Sequence, residues 1–292
     1  MQDIILHLGA HRTASTLVQG VIGNNAALLL EAGIGMPHQT ATHTALTARL
    51  NGRLPVAAGS FTRYIRQSGL DGCKTLVISD ENILGFLNNI FAHGTFYPDT
   101  ARRAKRLMQF LPAAPRKVVF SIRPYDSFFA SAYGRWLTPE RMVIPREDVA
   151  ELVLGLKRGW QDVAAEIAAA FPDSELVFSE YSSHPDFGPA QLSRILGPVS
   201  GTLAYNPGYR WNRSMSARQT MLYERAITEA DAEKASEIRT WKRFKQPKLV
   251  DMFWDGANRA ALNTRYQADR AALIAQFPAF VTSEAFEAQD FP

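Results

Sequence analysis

The chain contains little of what marks several large classes of protein. Only one of its 292 residues is cysteine, Cys73, which excludes an internal disulfide and a cysteine-rich zinc site. No apolar run reaches the roughly 18 residues of a membrane-spanning helix. The first residues lead straight into a strand pattern, without a signal-peptide segment. We therefore expect a soluble, cytoplasmic protein without a transmembrane segment, for which peripheral contact with a membrane remains open.

An excess of charge of one sign is also lacking. The chain has 32 lysines and arginines against 28 aspartates and glutamates, a net charge of +4. This mild excess suits an anionic small ligand but is too weak to indicate nucleic-acid binding. We expect no nucleic-acid partner, and composition leaves the oligomeric state undetermined.

Short apolar runs alternate with segments of helical periodicity, which is typical of a parallel sheet covered on both faces. Strands are expected at 3–8, 34–36, 74–79, 117–122 and 175–179. Helices are expected at 14–31, 99–110, 151–170, 189–196, 216–235 and 256–276. The pattern predicts an α/β, three-layer fold with a mostly parallel sheet of four to five strands. It indicates one domain over residues 1–276 and a loose C-terminal extension over 277–292.

The segment HLGAHRTASTLVQ, residues 7–19, joins the first strand to the first helix. Such a turn presents backbone N–H groups and a helix N-terminus to an anion. When it is aligned with the triphosphate-binding loop, Ala14 takes the place of the second glycine, Ser15 of the lysine and Thr16 of the hydroxyl residue. The cation has moved forward to Arg12. The loop is therefore poorly suited to a triphosphate held through magnesium.

A plainer interpretation of this segment is a strand followed by a helix that Thr13 caps. A second segment, KVVFSIRPYDSFFASAY at 117–133, favours the anion site. It ends a strand at Arg123, turns at Pro124 and places Ser131 and Tyr133 on the following helix. Arg123 and Ser131 could meet one phosphate if the helix folds back over the end of the strand.

Together the two segments resemble the sulfotransferases that use 3′-phosphoadenosine 5′-phosphosulfate (PAPS), closest to the bacterial branch and its Golgi carbohydrate-modifying relatives. Residues 12–16 resemble that family's 5′-phosphosulfate loop, Lys-x-Gly-Thr-Thr. Arg123 and Ser131 resemble its 3′-phosphate motif, Arg-x-Pro with a serine eight positions after the arginine, and Tyr133 also fits. The resemblance covers 7–20 and 117–136. Two residues depart from it: arginine replaces lysine at Arg12, and Ala14 replaces a glycine.

The resemblance implies a P-loop-like, sulfotransferase-like domain that transfers a sulfuryl group from PAPS, leaving 3′,5′-adenosine bisphosphate. It implies that Arg12 stabilises charge on the departing phosphate, while Ser15 and Thr16 hold the 5′-phosphate together with Thr13 and Ala14. Arg123 and Ser131 would bind the 3′-phosphate. No metal is expected. The acceptor would be a hydroxyl or amine of a carbohydrate, lipid or small metabolite.

A hydroxyl acceptor also needs a base to take its proton. Glu81, in the run Ser79–Asn82 after the third strand, resembles the Ser-Glu-Asn segment of bacterial family members, in which a glutamate acts as the base. Either Asp80 or Glu81 could instead cap the next helix. His11 is the competing base.

Other histidines carry less weight. His43 and His93 are more distant candidates for the base. His7, on the first strand, is expected to be a core residue with its polar atoms satisfied.

Several segments carry weaker expectations. Arg213, in a polar loop, is expected to contact the nucleotide, with a plain turn as the alternative. The run 241–248 (WKRFKQPK) is interpreted as a solvated face with apolar anchors, although it could bind an acidic sugar, the adenine or a membrane surface. The run 102–106 (RRAKR) is expected to be an exposed helix face. Glu180 and Tyr181 could be structural or could line the crevice.

Two further functions remain open on the sequence. One is a nucleotide kinase or nucleoside triphosphatase with a degenerate P-loop. The other is a non-catalytic, nucleotide-binding member of the fold.

Overall fold

A five-stranded, all-parallel sheet in the order β2-β3-β1-β4-β5 forms the centre of the computed structural model, which describes residues 2–50, 59–206, 215–241 and 253–286. The strands are β1 (Asp3–His7), β2 (Ile34–Gly35), β3 (Thr75–Ser79), β4 (Lys117–Ile122) and β5 (Glu175–Glu180). All four pairings are parallel, so the five carboxyl ends lie along one edge. The predicted α/β fold with a parallel sheet flanked by helices is confirmed.

The first helices of the described residues are α1 (Ser15–Asn24), α2 (Ala26–Glu31), α3 (Gln39–Thr42), a π-helical turn (His43–Thr47), α4 (Ala48–Leu50) and α5 (Ser60–Gln67). Those of the middle are α6 (Asn88–His93), α7 (Thr100–Met108), α8 (Tyr125–Trp136), α9 (Arg146–Leu154) and α10 (Trp160–Ala170). Those of the last part are α11 (Phe187–Leu196), α12 (Ala217–Thr228), α13 (Ala232–Thr240) and α14 (Gly256–Gln276), with 3₁₀ turns at Gly197–Thr202 and Ser283–Phe286.

Alternation along the strands builds two separate cores, because successive side chains of a strand point to opposite faces. Ile4 and Leu6 pack into a large core that includes Trp160. Ile5, on the other face, packs with Val18 of α1 and neighbouring residues. The sheet is thus the middle of three layers, and none of its described strands leaves both faces to solvent.

Three predicted helices prove to be interrupted. Residues 14–31 form two helices because the Asn25 side chain donates to Val21 O at 2.8 Å and pairs with the backbone of Ala204. Residues 151–170 divide at the Gly155–Gly159 connection between α9 and α10. The third, 216–235, breaks at Ala230, whose φ of 56° is incompatible with a right-handed helix.

The expected loose C-terminal extension is wrong over residues 277–284. Val281 forms a parallel bridge with Ser179, accepting from Glu180 N at 2.8 Å and donating to Phe178 O at 3.0 Å. The rings of Phe277 and Phe178 lie 4.3 Å apart. This segment therefore covers the edge of β5. None of the described helices is both long and apolar enough to cross a lipid bilayer.

Candidate anion-binding site

The turn between β1 and α1 has an unusual backbone. Arg12 and Ala14 both adopt left-handed conformations, with φ of 66° and 64°, and Gly9 has a φ of 32°. A Cβ at Gly9 would meet His7 Nε2 at 3.3 Å, a tight contact, so the turn favours glycine there. A left-handed conformation costs a residue other than glycine about 1 kcal/mol. Strain of this kind clusters at active sites and ligand-binding turns, which makes this turn a candidate for a binding site.

Ala14, and not Thr13, is the N-cap of α1, and it provides no side-chain hydrogen bond. The buried Thr13 hydroxyl donates to Ala10 O at 2.6 Å and so holds the turn closed. The capping role considered for Thr13 is therefore wrong. Because Ala14 has no polar side chain to cap α1, the backbone N–H groups and the positive end of the dipole at this helix N-terminus favour an anion.

The two motifs expected from the sequence meet at this point. Arg12 Nε donates to Ser131 Oγ at 2.8 Å, and Arg123 Nη1 donates to the Arg12 carbonyl at 2.7 Å. Arg123 Nε also donates to Ser127 Oγ at 3.0 Å. The start of α8 therefore does fold back over the end of β4. Arg12 thus forms one cluster with Arg123 and Ser131, which follow it by 111 and 119 positions in the sequence.

The two guanidinium groups are partly buried and raise each other's electrostatic energy. Burial, followed by repulsion from Arg123 and Arg135, lowers the pKa of Arg12 to about 10. Burial also lowers the pKa of Arg123. The Arg123 side chain donates to a hydroxyl and a carbonyl and lies 4.8 Å from the ring of Tyr181, and the charge of Asp126 partly offsets the effect of burial on its pKa. The local balance is positive, and an anion would relieve it.

Sequence reasoning missed two members of this cluster. Ser127, Ser131 and Arg135 recur every fourth residue along α8 and therefore share one face of the helix. This spacing in the sequence could have identified Ser127 and Arg135 as neighbours of Ser131. Arg135 is exposed, one turn beyond Ser131.

Tyr133, in contrast, does not belong to the site. Its ring is fully buried against Phe91 and Phe253, and its hydroxyl donates to Ile144 O at 2.9 Å. The position two residues after Ser131 points away from it on the helix, so the fit suggested by sequence was wrong.

Glu81 lies directly across from the first turn of α1. Its Oε2 accepts hydrogen bonds from Ser15 Oγ at 3.3 Å and from Gln19 Nε2 at 3.2 Å. Ser15 is buried and Glu81 is partly exposed. Thr16 is also partly exposed in the first turn of α1. A carboxylate therefore stands beside the loop at the same edge of the sheet.

His11 is buried and has both ring nitrogens engaged. Nδ1 lies 2.7 Å from the Tyr97 hydroxyl, which also accepts from His11 N at 3.1 Å, and Nε2 lies 3.2 Å from Asn82 Oδ1. This pattern assigns the proton to Nε2 and leaves Nδ1 as the acceptor. Burial is the largest influence on His11 and lowers its pKa, so the imidazole is neutral. Its lone pair is occupied by Tyr97, so of the two candidates for a base Glu81 is the one with an accessible lone pair.

Neither acid after β3 caps a helix. Asp80 is buried and accepts from Asn82 N at 2.8 Å, while α6 begins only at Asn88. The capping alternative is therefore wrong for both Asp80 and Glu81.

The remaining candidates divide between core and surface. His7 is a core residue, with Nδ1 2.8 Å from Ser79 Oγ and a pKa that burial lowers to about 4. His93 is exposed at the end of α6. Glu180 is structural, since it accepts from Tyr266, from Arg270 and from Ser283 N. Tyr181 lines the site under Arg123.

The expectation that residues 102–106 form an exposed face is wrong for Arg103. This side chain is only 2% exposed and donates to Ile83 O at 2.7 Å and Asn82 O at 2.6 Å. It therefore holds the loop that follows Glu81. Arg213 and residues 242–248 lie outside the described residues, and Trp241 is exposed.

No group of three or more metal-ligating side chains occurs in the part of the chain that the structure describes. Comparisons with protein-family models, with curated proteins and with solved structures gave no match to this chain.

Proposed function

We propose that this chain is a sulfotransferase that moves a sulfuryl group from PAPS to a hydroxyl or amine. The observation that carries the proposal is the pairing of Arg12 and Arg123 between the carboxyl ends of β1 and β4. Both guanidinium groups are partly desolvated, and the hydrogen bonds of the Arg123 side chain go to a hydroxyl and a carbonyl, while Asp126 attracts it without bonding to it. Burial and the repulsion between like charges are costly for these two cations, and the site therefore favours a ligand with more than one anionic group.

The donor provides two such groups at separate positions. In the proposal, the 5′-phosphosulfate lies against the N-terminus of α1, near Ser15 and Thr16, where backbone N–H groups and the helix dipole favour an anion. The 3′-phosphate lies with Arg123 and Ser131, to which Ser127 adds a hydroxyl. Arg12, bonded to Ser131, stands between these two positions.

The transfer follows from this arrangement. The acceptor oxygen forms a bond to sulfur as the bond from sulfur to the bridging phosphate oxygen breaks, so that charge develops on the departing bisphosphate. Arg12 stabilises that charge. Glu81 takes the proton of the acceptor hydroxyl, and its hydrogen bonds from Ser15 and Gln19 fix the carboxylate beside the loop. The step needs positioning and charge stabilisation, and no side chain becomes covalently modified.

A calorimetric titration with 3′,5′-adenosine bisphosphate tests the proposal. We expect Arg123→Ala to weaken binding about 100-fold, because it removes charge-assisted hydrogen bonds worth about 1.5–3 kcal/mol each. Arg123→Lys keeps the charge but loses the planar, two-pronged geometry of the guanidinium, so its affinity for the bisphosphate should lie between those of the wild type and Arg123→Ala. Arg102→Ala is the matched control, since Arg102 is an exposed arginine paired with Asp99 on α7.

Three results would contradict the assignment. They are the absence of bisphosphate binding in the wild type, unchanged binding after Arg123→Ala, and tighter binding of Mg-ATP than of the bisphosphate. The last of these would favour a degenerate nucleoside triphosphatase.

A further inference from the structure

A second polar cluster lies at the carboxyl end of β3, on the side away from Arg123. Its centre is the carboxylate of Asp80, which is fully buried. Oδ1 accepts from Asn82 N and Asn82 Nδ2 at 2.8 and 2.9 Å, and Oδ2 accepts from Thr47 Oγ1 at 2.6 Å. Burial raises the pKa of Asp80, but these hydrogen bonds and His43 outweigh it, so the pKa is lowered overall. Asp80 is therefore ionised, and its carboxylate is bonded to Asn82 and Thr47.

One of those neighbours is a histidine that reaches solvent. His43 Nδ1 lies 3.4 Å from Asp80 Oδ2, and 45% of the His43 side chain is exposed. His43 and Thr47, both partners of Asp80, begin and end the π-helical turn. Turns of this kind are rare and recur at functional sites. With Nδ1 directed to a carboxylate, the ring orientation is fixed and Nε2 forms its opposite edge.

The cluster is connected to the anion-binding loop. Asn82, bonded to Asp80, also contacts His11 Nε2 through Oδ1 at 3.2 Å. The chain of contacts therefore runs from the loop through His11, Asn82 and Asp80 to His43. Since Asp80 and Glu81 are consecutive, the imidazole is anchored one residue away from the proposed base.

The sheet order assigns the two clusters to opposite sides of the loop. The anion contacts lie on β1 and β4, whereas Asp80 and His43 lie at β3 and just after β2. In an in-line transfer the acceptor approaches sulfur from the side opposite the departing phosphate. For a donor held between β1 and β4, that approach is over β3 and β2.

We propose that His43, oriented by Asp80, binds the acceptor, with Nε2 taking a hydrogen bond from a group next to the hydroxyl that gives its proton to Glu81. This inference rests on the proposed function. The Glu81 carboxylate and His43 Nε2, which Asp80 holds, would then accept two neighbouring hydrogen bonds. They match a substrate with two adjacent donor groups, such as a vicinal diol or an amino alcohol.

A matched pair of small acceptors tests the inference. Sulfuryl transfer from labelled PAPS is measured to cis-1,2-cyclohexanediol and to cyclohexanol, and bisphosphate affinity is titrated alongside. We expect the wild type to prefer the diol about tenfold, which corresponds to one hydrogen bond. His43→Asn retains a donor for Asp80 at the place of Nδ1 but has no atom at Nε2, so it should lose the preference. His43→Gln places an amide oxygen near Nε2 and should recover part of it.

His38→Asn serves as the control, because His38 is an exposed histidine at the cap of α3 and its capping bond to Thr40 N can be kept by asparagine. A wild type that transfers no faster to the diol overturns the inference, as does a preference that survives in His43→Asn. Equal losses on both acceptors, or weakened bisphosphate binding in His43→Asn, assign His43 a structural role and overturn it too. If the bisphosphate fails to bind the wild type, the proposed function itself is wrong.

Discussion

Replacing Arg12 by methionine should make the unliganded protein more stable while abolishing its response to ligand. Methionine has a similar length and no charge, and Arg12 has a left-handed φ that both residues tolerate equally poorly. The guanidinium keeps its proton at neutral pH because its lowered pKa, about 10, is still well above 7. Its electrostatic cost is therefore present at every pH below about 10 and is removed with the charge.

The magnitude follows from that pKa. A fall from 12.5 to about 10 corresponds to about 3 kcal/mol, and partial exposure to solvent reduces this to about 2 kcal/mol. The lost hydrogen bond to Ser131 costs about 1.5 kcal/mol, because its donor is charged. The net expectation is a gain of about 0.5 kcal/mol in the free energy of unfolding, or about 1 °C in Tm.

Thermal unfolding at pH 7.5, with and without 3′,5′-adenosine bisphosphate, measures both parts of the prediction. At a ligand concentration about 100 times Kd, the wild type should gain about 3 kcal/mol. Arg12→Met should gain little, so that the order of the two Tm values reverses on adding ligand. A variant that is less stable than wild type without ligand would show that Arg12 supports the fold, and an equal ligand shift in both proteins would refute its place in the anion site.

Three other changes have definite expected outcomes. Glu81→Gln can still accept the hydrogen bond from Ser15, so bisphosphate affinity should stay within about threefold while kcat falls about 100-fold; full turnover would show that another group is the base. Burial lowers the pKa of His7 from 6.5 in the unfolded chain to about 4 in the folded protein. As the pH falls from 6.5 to 4, protonation of His7 in the unfolded state should therefore lower the free energy of unfolding by about 3 kcal/mol. Urea unfolding at pH 7 and pH 4.5 should show a smaller fall in the free energy of unfolding for His7→Asn than for the wild type, and an identical fall in both would contradict a buried, neutral His7. Arg103→Met leaves two carbonyls without their donor and should lower the free energy of unfolding by about 2–4 kcal/mol, whereas the same change at exposed Arg102 should cost under about 0.5 kcal/mol.

The sheet was predictable because its strands are short apolar runs of uniform pattern. Ile4, Ile5 and Leu6 are all buried, on alternating faces, as a parallel strand covered on both sides requires. Helix ends were less predictable, since they depend on single interactions. Asn25 breaks a continuous helical pattern by bonding to the distant backbone of Ala204, and no local rule indicates that contact.

Within the site, sequence located the ends of the strands but not the directions of the side chains. Arg12, Arg123 and Ser131 come together because parallel strands end at one edge. Arg103 could not be separated from the neighbouring cations of its helix, since its burial depends on carbonyls of the loop after β3. The His43–Asp80 contact joins residues 37 positions apart through a π-helical turn, for which the sequence carries no comparable periodic signal.

The central claim is that the edge between β1 and β4 distinguishes a 3′-phosphate. It is tested most directly by titrating the wild-type protein with 3′,5′-adenosine bisphosphate and with adenosine 5′-monophosphate at the same ionic strength. The two ligands differ only in the group assigned to Arg123 and Ser131. We predict that the bisphosphate binds about 100-fold more tightly, the difference expected for losing charge-assisted hydrogen bonds to one phosphate. Equal affinities would contradict the account.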